Sequence, residues 1–474
     1  MNIKYERKNY LDNKLNKRYG FFTAYAMVVG TVIGSGVFFK AEKVLTSTGG
    51  NLPLGIASWI IGGAIMLVCA YAFSQMASRF AYINGVVDYA EAVIGKTYGY
   101  YLGWFLATIY YPTLTSVLAW VSARYTCVLF GFPIAGGECL VISAFYLIAS
   151  YALNSLSPVL AGKFQTTTTI IKLIPLFLMA ILGTVNGLRT GLMIENFTTI
   201  TAEVQTGPAL FSAVCATAFA YDGWIIATSM NSELKDAKKT LPKALVLGAI
   251  SVVVIYILYY VGLSGAVTNQ ELMANGEAGA KVAFSAIFGK LGGTLMFVFV
   301  VISCLGTLNG LMLGCSRGMY SIAVRNRGPA VDTFREVDSR TNMPTNSGVF
   351  ALLVTMAWLL YFYGANLTET SWFGFFTFDS SEIPIITSYP AYIPIFIMFM
   401  VKSKDLGFVR RVIIPLLATA GCSFMCYAAV LAHGKSVIAY LIVFVVIMSI
   451  GAVFSGEQEP EKDEVRHHKK KKRK

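Results

Sequence analysis

The chain has 474 residues, 56% of them hydrophobic and 13% charged, with a mean hydropathy of +0.62, which excludes a soluble globular protein of this size and predicts a membrane protein. A net charge of +13, from 38 Lys and Arg against 25 Asp and Glu, points to loops sorted by membrane topology and not to nucleic acid.

Residues 1–20 are polar and basic and are followed by a full apolar span without a cleavage pattern, so a cytoplasmic tail is expected there and not a signal peptide. Apolar runs of spanning length then fall near 21–40, 54–78, 100–130, 138–157, 165–187, 208–230, 243–267, 291–323, 347–363, 380–401, 409–432 and 436–455. The expected organisation is an all-α integral membrane protein with twelve transmembrane helices. One transport domain covers 21–455, flanked by basic cytoplasmic tails at 1–20 and 456–474. Sorting Lys and Arg by loop puts 30 on the side of the N-terminus. Seven fall on the other side (Lys40, Lys43, Arg124, Arg189, Lys281, Lys290 and Lys435), and Lys172 falls inside a span. The bias places both termini in the cytoplasm, and the plasma membrane is the expected location.

The first span contains VVGTVIGSGVFF (28–39), in which Gly30, Gly34 and Gly36 interrupt an apolar helix. Unpaired backbone groups are costly in hydrocarbon, so a break survives only where protein or a water-filled cavity surrounds it. The N–H groups of Ser35 and Gly36 would then begin a half-helix that attracts a carboxylate, while carbonyls near Val32 and Ile33 could accept from an ammonium, with Gly34 a further substrate-site candidate at the break itself. The alternative is that Gly30 and Gly34, spaced as GxxxG, only let two helices pack closely.

Span 5 holds Lys172, a buried ammonium that must pair, line a polar cavity, shift its pKa or snorkel. Span 6 carries a second irregularity at FAYDGW, where Phe219, Ala220, Tyr221, Asp222, Gly223 and Trp224 place a carboxylate and a glycine in an apolar run. A carboxylate at mid-span costs about 2.5–3.5 kcal/mol on insertion scales and marks a functional position, with capping of unwound backbone its simplest role. The two breaks are five spans apart. Interrupted segments in matching positions of two halves point to inverted repeats around a binding site at the bilayer midplane.

Other motifs carry less. GVVDYAEAVIGKTYGY (85–100) suits an interfacial amphipathic helix, and AEAVIGKT within it lacks the strand and glycines of a phosphate-binding loop. The three histidines, His433, His467 and His468, form no metal or triad arrangement, and no cofactor or metal is expected. The eight cysteines look like buried apolar residues, with Cys139 near an outer loop the one to watch for a disulfide partner. NFT at Asn196 and NLT at Asn366 fit the glycosylation pattern in loops placed outside. The tail RHHKKKKRK is expected to meet anionic lipid and not nucleic acid.

Taken together, GTVIGSGVFF, FAYDGWIIATSMNSELKDAKKTLPKAL and SCLGTLNGLMLGCSRGMYSIAVRNRGP resemble the amino acid–polyamine–organocation superfamily, and within it the L-type amino acid transporters and their bacterial exchanger relatives. The resemblance extends over essentially all spans. It implies a five-plus-five inverted repeat with discontinuous helices 1 and 6 and two extra helices, working by alternating access. It implies that the substrate carboxylate meets the N–H groups of Ser35 and Gly36, and the amine meets carbonyls of Val32, Phe219, Ala220 and Asp222. It also implies that the amine of Lys172 takes the place of sodium. FFKAEKV and AYINGVVDY depart from the family pattern, which bears on gating and substrate preference. Animal relatives bond a heavy subunit through a cysteine between spans 3 and 4, but the sequence around Cys139 does not match and that partner is not expected. The function expected is sodium-independent exchange of neutral L-amino acids. Proton-coupled uptake through Lys172, a polyamine substrate balanced by Asp222, and a non-transporting amino acid sensor are the alternatives.

Overall fold

The computed structural model describes residues 15–458 apart from Ala81 and Glu382; most of both basic tails, including the RHHKKKKRK run, lies outside the described residues. All named elements among them are helical, and the one strand-like pairing is an isolated bridge between Tyr19 and Leu234. Residues 21–47 form two 12-residue helices, α1a (Phe21–Val32) and α1b (Gly36–Ser47), on either side of the interruption expected in the first span. There follow α2 (Leu52–Ala77), α3 (Lys96–Phe130), α4 (Gly137–Leu156) and α5 (Pro158–Thr190). The sixth region divides into α6a (Thr206–Tyr221) and a 3₁₀ segment, α6b (Trp224–Glu233). The rest are α7 (Ala237–Ser264), α8 (Gly279–Ala323), α9 (Thr345–Asn366), α10 (Ile385–Lys402), α11 (Val409–His433) and α12 (Ser436–Val453). Among the described residues eleven helices, counting α6a and α6b as one, are long and apolar enough to cross a membrane.

Hydropathy finds the helices, and packing sorts them into inner and outer ones. The most apolar window of α6 is 72% buried and that of α3 is 67%, against 22% for α12, so α3 and α6 run through the centre and α12 lies at the periphery. Large apolar side chains stay exposed on outer helices, such as Val141 and Phe145 on α4 and Val445 and Val446 on α12, where lipid can cover them. Both ends of the described chain meet one loop. Arg18 reaches Thr341 and Asn342, while Gly328 N–H donates to Phe454 O at 3.0 Å and Gln458 N–H to Asn326 O at 2.8 Å. The two ends therefore lie on the same face.

That face is closed by buried charges. The backbone N–H groups of Arg18 and Tyr19 donate to Glu233 O at 2.9 and 3.1 Å, laying the N-terminal segment across the end of α6b. Arg317, one of the 30 basic residues counted on the side of the N-terminus, is fully buried within α8; its Nε donates to Glu233 Oε1 at 2.7 Å and its Nη1 to Leu313 O at 2.8 Å. Arg325 Nε donates to Glu91 Oε2 at 2.7 Å, and its Nη2 pairs with Asp88. Buried ions persist only when paired and hydrogen-bonded, so these groups hold α6b, α8 and the segment before α3 in one arrangement.

Two expectations are corrected here. The segment 85–100 is not an interfacial helix: Gly85–Val93 is a short helix with all nine residues buried, its carboxylates drawn inward by Arg325. Burial raises the Asp88 pKa, and the Arg325 charge opposes that rise. Asn196 is buried and occupied, its amide donating to Ser264 O at 2.6 Å and Val267 O at 2.9 Å while its Oδ1 accepts from Asn269 N–H. It is a structural pin and not an accessible glycosylation acceptor.

Candidate substrate site

The two breaks lie side by side at the centre of the molecule. Helix α1a ends at Ile33, whose backbone turns extended (φ −74°, ψ 90°), and the first bond of the next half-helix runs from Phe38 N–H to Ser35 O at 3.0 Å. Among the described residues, no backbone acceptor meets the N–H groups of Ser35 or Gly36. Helix α6a ends at Tyr221; Asp222 is extended, and Gly223 takes φ +98°, a left-handed conformation that costs glycine nothing. A Cβ on Gly223 would also stand 2.9 Å from Thr31 O.

Each break is stabilised by groups from elsewhere. Asp222 Oδ1 accepts from Gly223 N–H at 2.8 Å and from the Tyr110 hydroxyl of α3 at 2.5 Å, so the carboxylate caps its own unwound backbone. Thr31 Oγ1 lies 3.0 Å from Gly223 O, and the Tyr256 hydroxyl of α7 lies 3.0 Å from both Val32 O and Ala220 O. A hydroxyl has one proton, so Tyr256 donates to one of these carbonyls at a time and couples the two breaks. Tyr256→Phe should lower stability by about 1–3 kcal/mol, the cost of a deprived buried carbonyl, measurable as an earlier thermal unfolding of the purified protein.

Lys172 stands behind the first break, fully buried. Its Nζ donates to Gly30 O at 2.8 Å, Ile33 O at 2.5 Å and Thr307 Oγ1 at 3.1 Å. Thr307 lies 2.9 and 3.0 Å from the same two carbonyls, and Ser303 Oγ lies 3.0 Å from Gly34 O. The carbonyls released when α1a stops are thus collected by an ammonium from α5 and hydroxyls from α8. Gly30 makes room for this, since a Cβ there would lie 2.3 Å from Thr169 Oγ1 of α5. The close-packing alternative therefore describes Gly30 well and leaves the break to Gly34 and Gly36.

Between the breaks is a cavity of about 30 Å³, space for one or two waters. Helix 1 gives it Thr31, Val32, Gly34, Ser35 and Gly36; helix 6 gives Phe219, Asp222 and Gly223. Leu114 and Leu118 of α3 and Thr307 and Leu311 of α8 complete the wall.

The sequence matches the amino acid permease family over residues 19–453. The chain belongs to that family. This permease is 28% identical over 421 residues to the serine/threonine exchanger SteT of Bacillus subtilis (strain 168), covering 87% of this chain and 91% of that protein. It is also 28% identical to the large neutral amino acids transporter small subunit 2 of Rattus norvegicus, covering 73% of this chain but 65% of that protein, just under two thirds of its length. Among solved structures, MhsT in complex with L-phenylalanine superposes with a TM-score of 0.55 at 14% identity, over 92% of this chain and 99% of the other, which shows a shared fold. The permease family and these relatives are membrane transporters and not enzymes.

Of the residues singled out from sequence, Val32, Gly34, Ser35, Gly36, Phe219, Asp222 and Gly223 meet at the permease's cavity. Ile33 turns its carbonyl to Lys172 and Thr307 instead, and Ala220 packs against Gly36 with its carbonyl on Tyr256. Tyr221 and Trp224 are not in the wall. The Tyr221 hydroxyl donates to Trp59 O at 3.0 Å, and Trp224 lies against Phe73 with ring centroids 5.8 Å apart. Sequence reasoning missed Tyr110, Tyr256 and Thr307. Only Thr307 lay in a quoted motif, SCLGTLNG, and the two tyrosines sit among many apolar aromatics with nothing local to mark them.

Proposed function

We propose that this permease exchanges neutral L-amino acids across the plasma membrane by alternating access and without sodium, with both termini in the cytoplasm. The observation that carries the reading is one cavity bordered both by N–H groups without backbone acceptors, at Ser35 and Gly36, and by carbonyls freed at two helix breaks. An α-amino acid carries the complementary pair of charges. Its carboxylate binds the N–H groups of Ser35 and Gly36 at the positive end of α1b. Its ammonium binds the carbonyls of Val32, Phe219, Ala220 and Asp222; Ala220 O keeps a second lone pair beside the Tyr256 hydroxyl, and Val32 O, which accepts from Gly34 N–H at 2.9 Å, is open to the ammonium when Tyr256 donates to Ala220. A cavity this narrow must widen to admit a substrate, and the breaks are where the half-helices can pivot.

Sodium independence is supported by Lys172, whose ammonium occupies a set of oxygens of the kind a monovalent cation would take. The exchanger and neutral amino acid names of the relatives support exchange and the neutral class. Proton coupling through Lys172 is the second reading. A polyamine balanced by Asp222 is less favoured, because that carboxylate already caps Gly223 and holds Tyr110. Cys139 is buried against Ala123 and Cys127, which supports the absence of a heavy-chain partner bonded through it. The basic tails are proposed to lie on anionic lipid.

Proteoliposomes loaded with unlabelled serine should take up labelled neutral amino acid far faster than empty ones, equally in sodium and in choline. Accumulation in empty vesicles driven only by a pH gradient would transfer the case to proton coupling.

A further inference from the structure

Between α9 and α10 the chain reads NLTETS (366–371), a polar run, and then WFGFFTF (372–378), in which five of seven residues are aromatic. The connection doubles back. Trp372 N–H donates to Gly364 O at 3.0 Å, and the Tyr361 hydroxyl donates to Phe376 O at 2.7 Å and accepts from Phe378 N–H at 3.1 Å. Gly364 and Tyr361 lie two and five residues before Asn366, the last residue of α9, so the aromatic return runs back along the helix by about 3–8 Å. The 22 residues of α9 span about 33 Å, close to the thickness of a hydrocarbon core of about 30 Å, which puts the return at the depth of the membrane interface and not above it. Helix α9 begins just after the loop that meets both ends of the described chain, so this interface is on the opposite face.

The outward face of α9 shows which way the return looks. Val349, Leu353 and Leu360 are exposed and fall on one side of the helix at about 100° per residue. Gly364 continues that apolar stripe, and there the Trp372 ring takes the place of a side chain: a Cβ on Gly364 would stand 2.3 Å from Trp372 Cε3. The indole is 57% exposed, and Phe375 and Phe376 beside it are exposed as well. Irregular backbone at membrane depth needs partners within the protein. Besides the bonds to Tyr361 and Gly364, Phe376 N–H donates to Phe373 O at 2.9 Å, Thr377 N–H donates to Gly374 O at 3.2 Å, and the hydroxyls of Ser371 and Thr377 pair. Phe378 packs inward on Tyr440 of the peripheral α12, with ring centroids 5.4 Å apart.

We propose that residues 372–378 form a lipid-binding hook, which seats Trp372, Phe375 and Phe376 in the membrane interface on the face opposite the termini and anchors the α9–α10 connection there. An indole, apolar in body with one polar N–H, suits that depth, and aromatic residues gather at membrane interfaces for this reason. The polar run before the hook, with Asn366, Glu369 and Thr370 exposed, marks the water side of the same turn.

Tryptophan emission in proteoliposomes tests the hook. Of the six tryptophans, all within the described residues, only Trp372 is exposed, so the emission lost in Trp372→Phe isolates its signal. That difference signal should be quenched in phosphatidylcholine brominated on the upper acyl chain, relative to the unbrominated lipid. A difference signal unchanged by brominated lipid overturns the inference, and aqueous iodide then tells whether water or a protein surface, such as a second copy of this chain, covers the ring instead. If Trp372→Phe does not fold, Phe375→Trp decides: its added emission should be quenched by the same lipid, and added emission untouched by that lipid overturns the inference.

Discussion

Gly36→Val is expected to abolish amino acid binding. A Cβ at Gly36 would stand 2.9 Å from Ala220 Cα and 3.4 Å from Phe219 Cδ1, and the first of these is backbone that no rotamer change can move aside. Valine adds two further methyl groups on a residue whose N–H is proposed to bind the carboxylate. The half-helices must then separate at the point where the N–H groups of helix 1 and the carbonyls of helix 6 have to face the same ligand. Losing two hydrogen bonds to a charged group, at about 1.5–3 kcal/mol each, weakens binding by roughly 10²–10⁴-fold. Thermal shift with a neutral amino acid, on protein that still elutes as a single species, measures the loss. Wild-type affinity in a folded Gly36→Val would remove the carboxylate position from helix 1.

Lys172→Ala is expected to stop exchange by a different route. The ammonium serves the carbonyls of Gly30 and Ile33, and its removal leaves these two and Gly34 O to the hydroxyls of Thr307 and Ser303, which have one proton each. One buried carbonyl then lacks a donor in an apolar setting, at a cost of about 1–3 kcal/mol, and the end of α1a is no longer held in one geometry. Because Lys172 does not line the cavity, the loss should fall on turnover more than on ligand affinity. Counterflow measured from both sides tests this. Unchanged kinetics in both directions would show that the ammonium has no part in transport, and added sodium restoring activity would show that the oxygens at Gly30, Ile33 and Thr307 accept another cation.

The two glycine-bearing breaks were visible in the sequence because hydrocarbon makes irregular backbone costly, so GSG and DG inside apolar runs are already exceptional. Asp222 was visible for the same reason, and its capping role follows from being adjacent to the unwound residue it bonds. Tyr221 and Trp224 were grouped with it by proximity alone. At a break the chain direction changes, and residues one or two positions apart no longer face the same way. Tyr110 and Tyr256 act on the breaks from α3 and α7, and aromatic residues in membrane helices carry no local sign of which hydroxyl will find a freed carbonyl.

The sequence by itself determined that the chain is a bundle of apolar helices, that helices 1 and 6 are interrupted, and that an ammonium and a carboxylate are held at membrane depth. These follow from single-residue costs in lipid, which are local and need no partner to be known. Only the tertiary structure decided that Lys172 serves the end of helix 1, that Arg317 is buried on Glu233, and that Lys40 lies on Phe219. Each is a pairing between groups distant in the chain, and which partner a buried charge finds depends on the packing of helices whose apolar faces look alike in sequence.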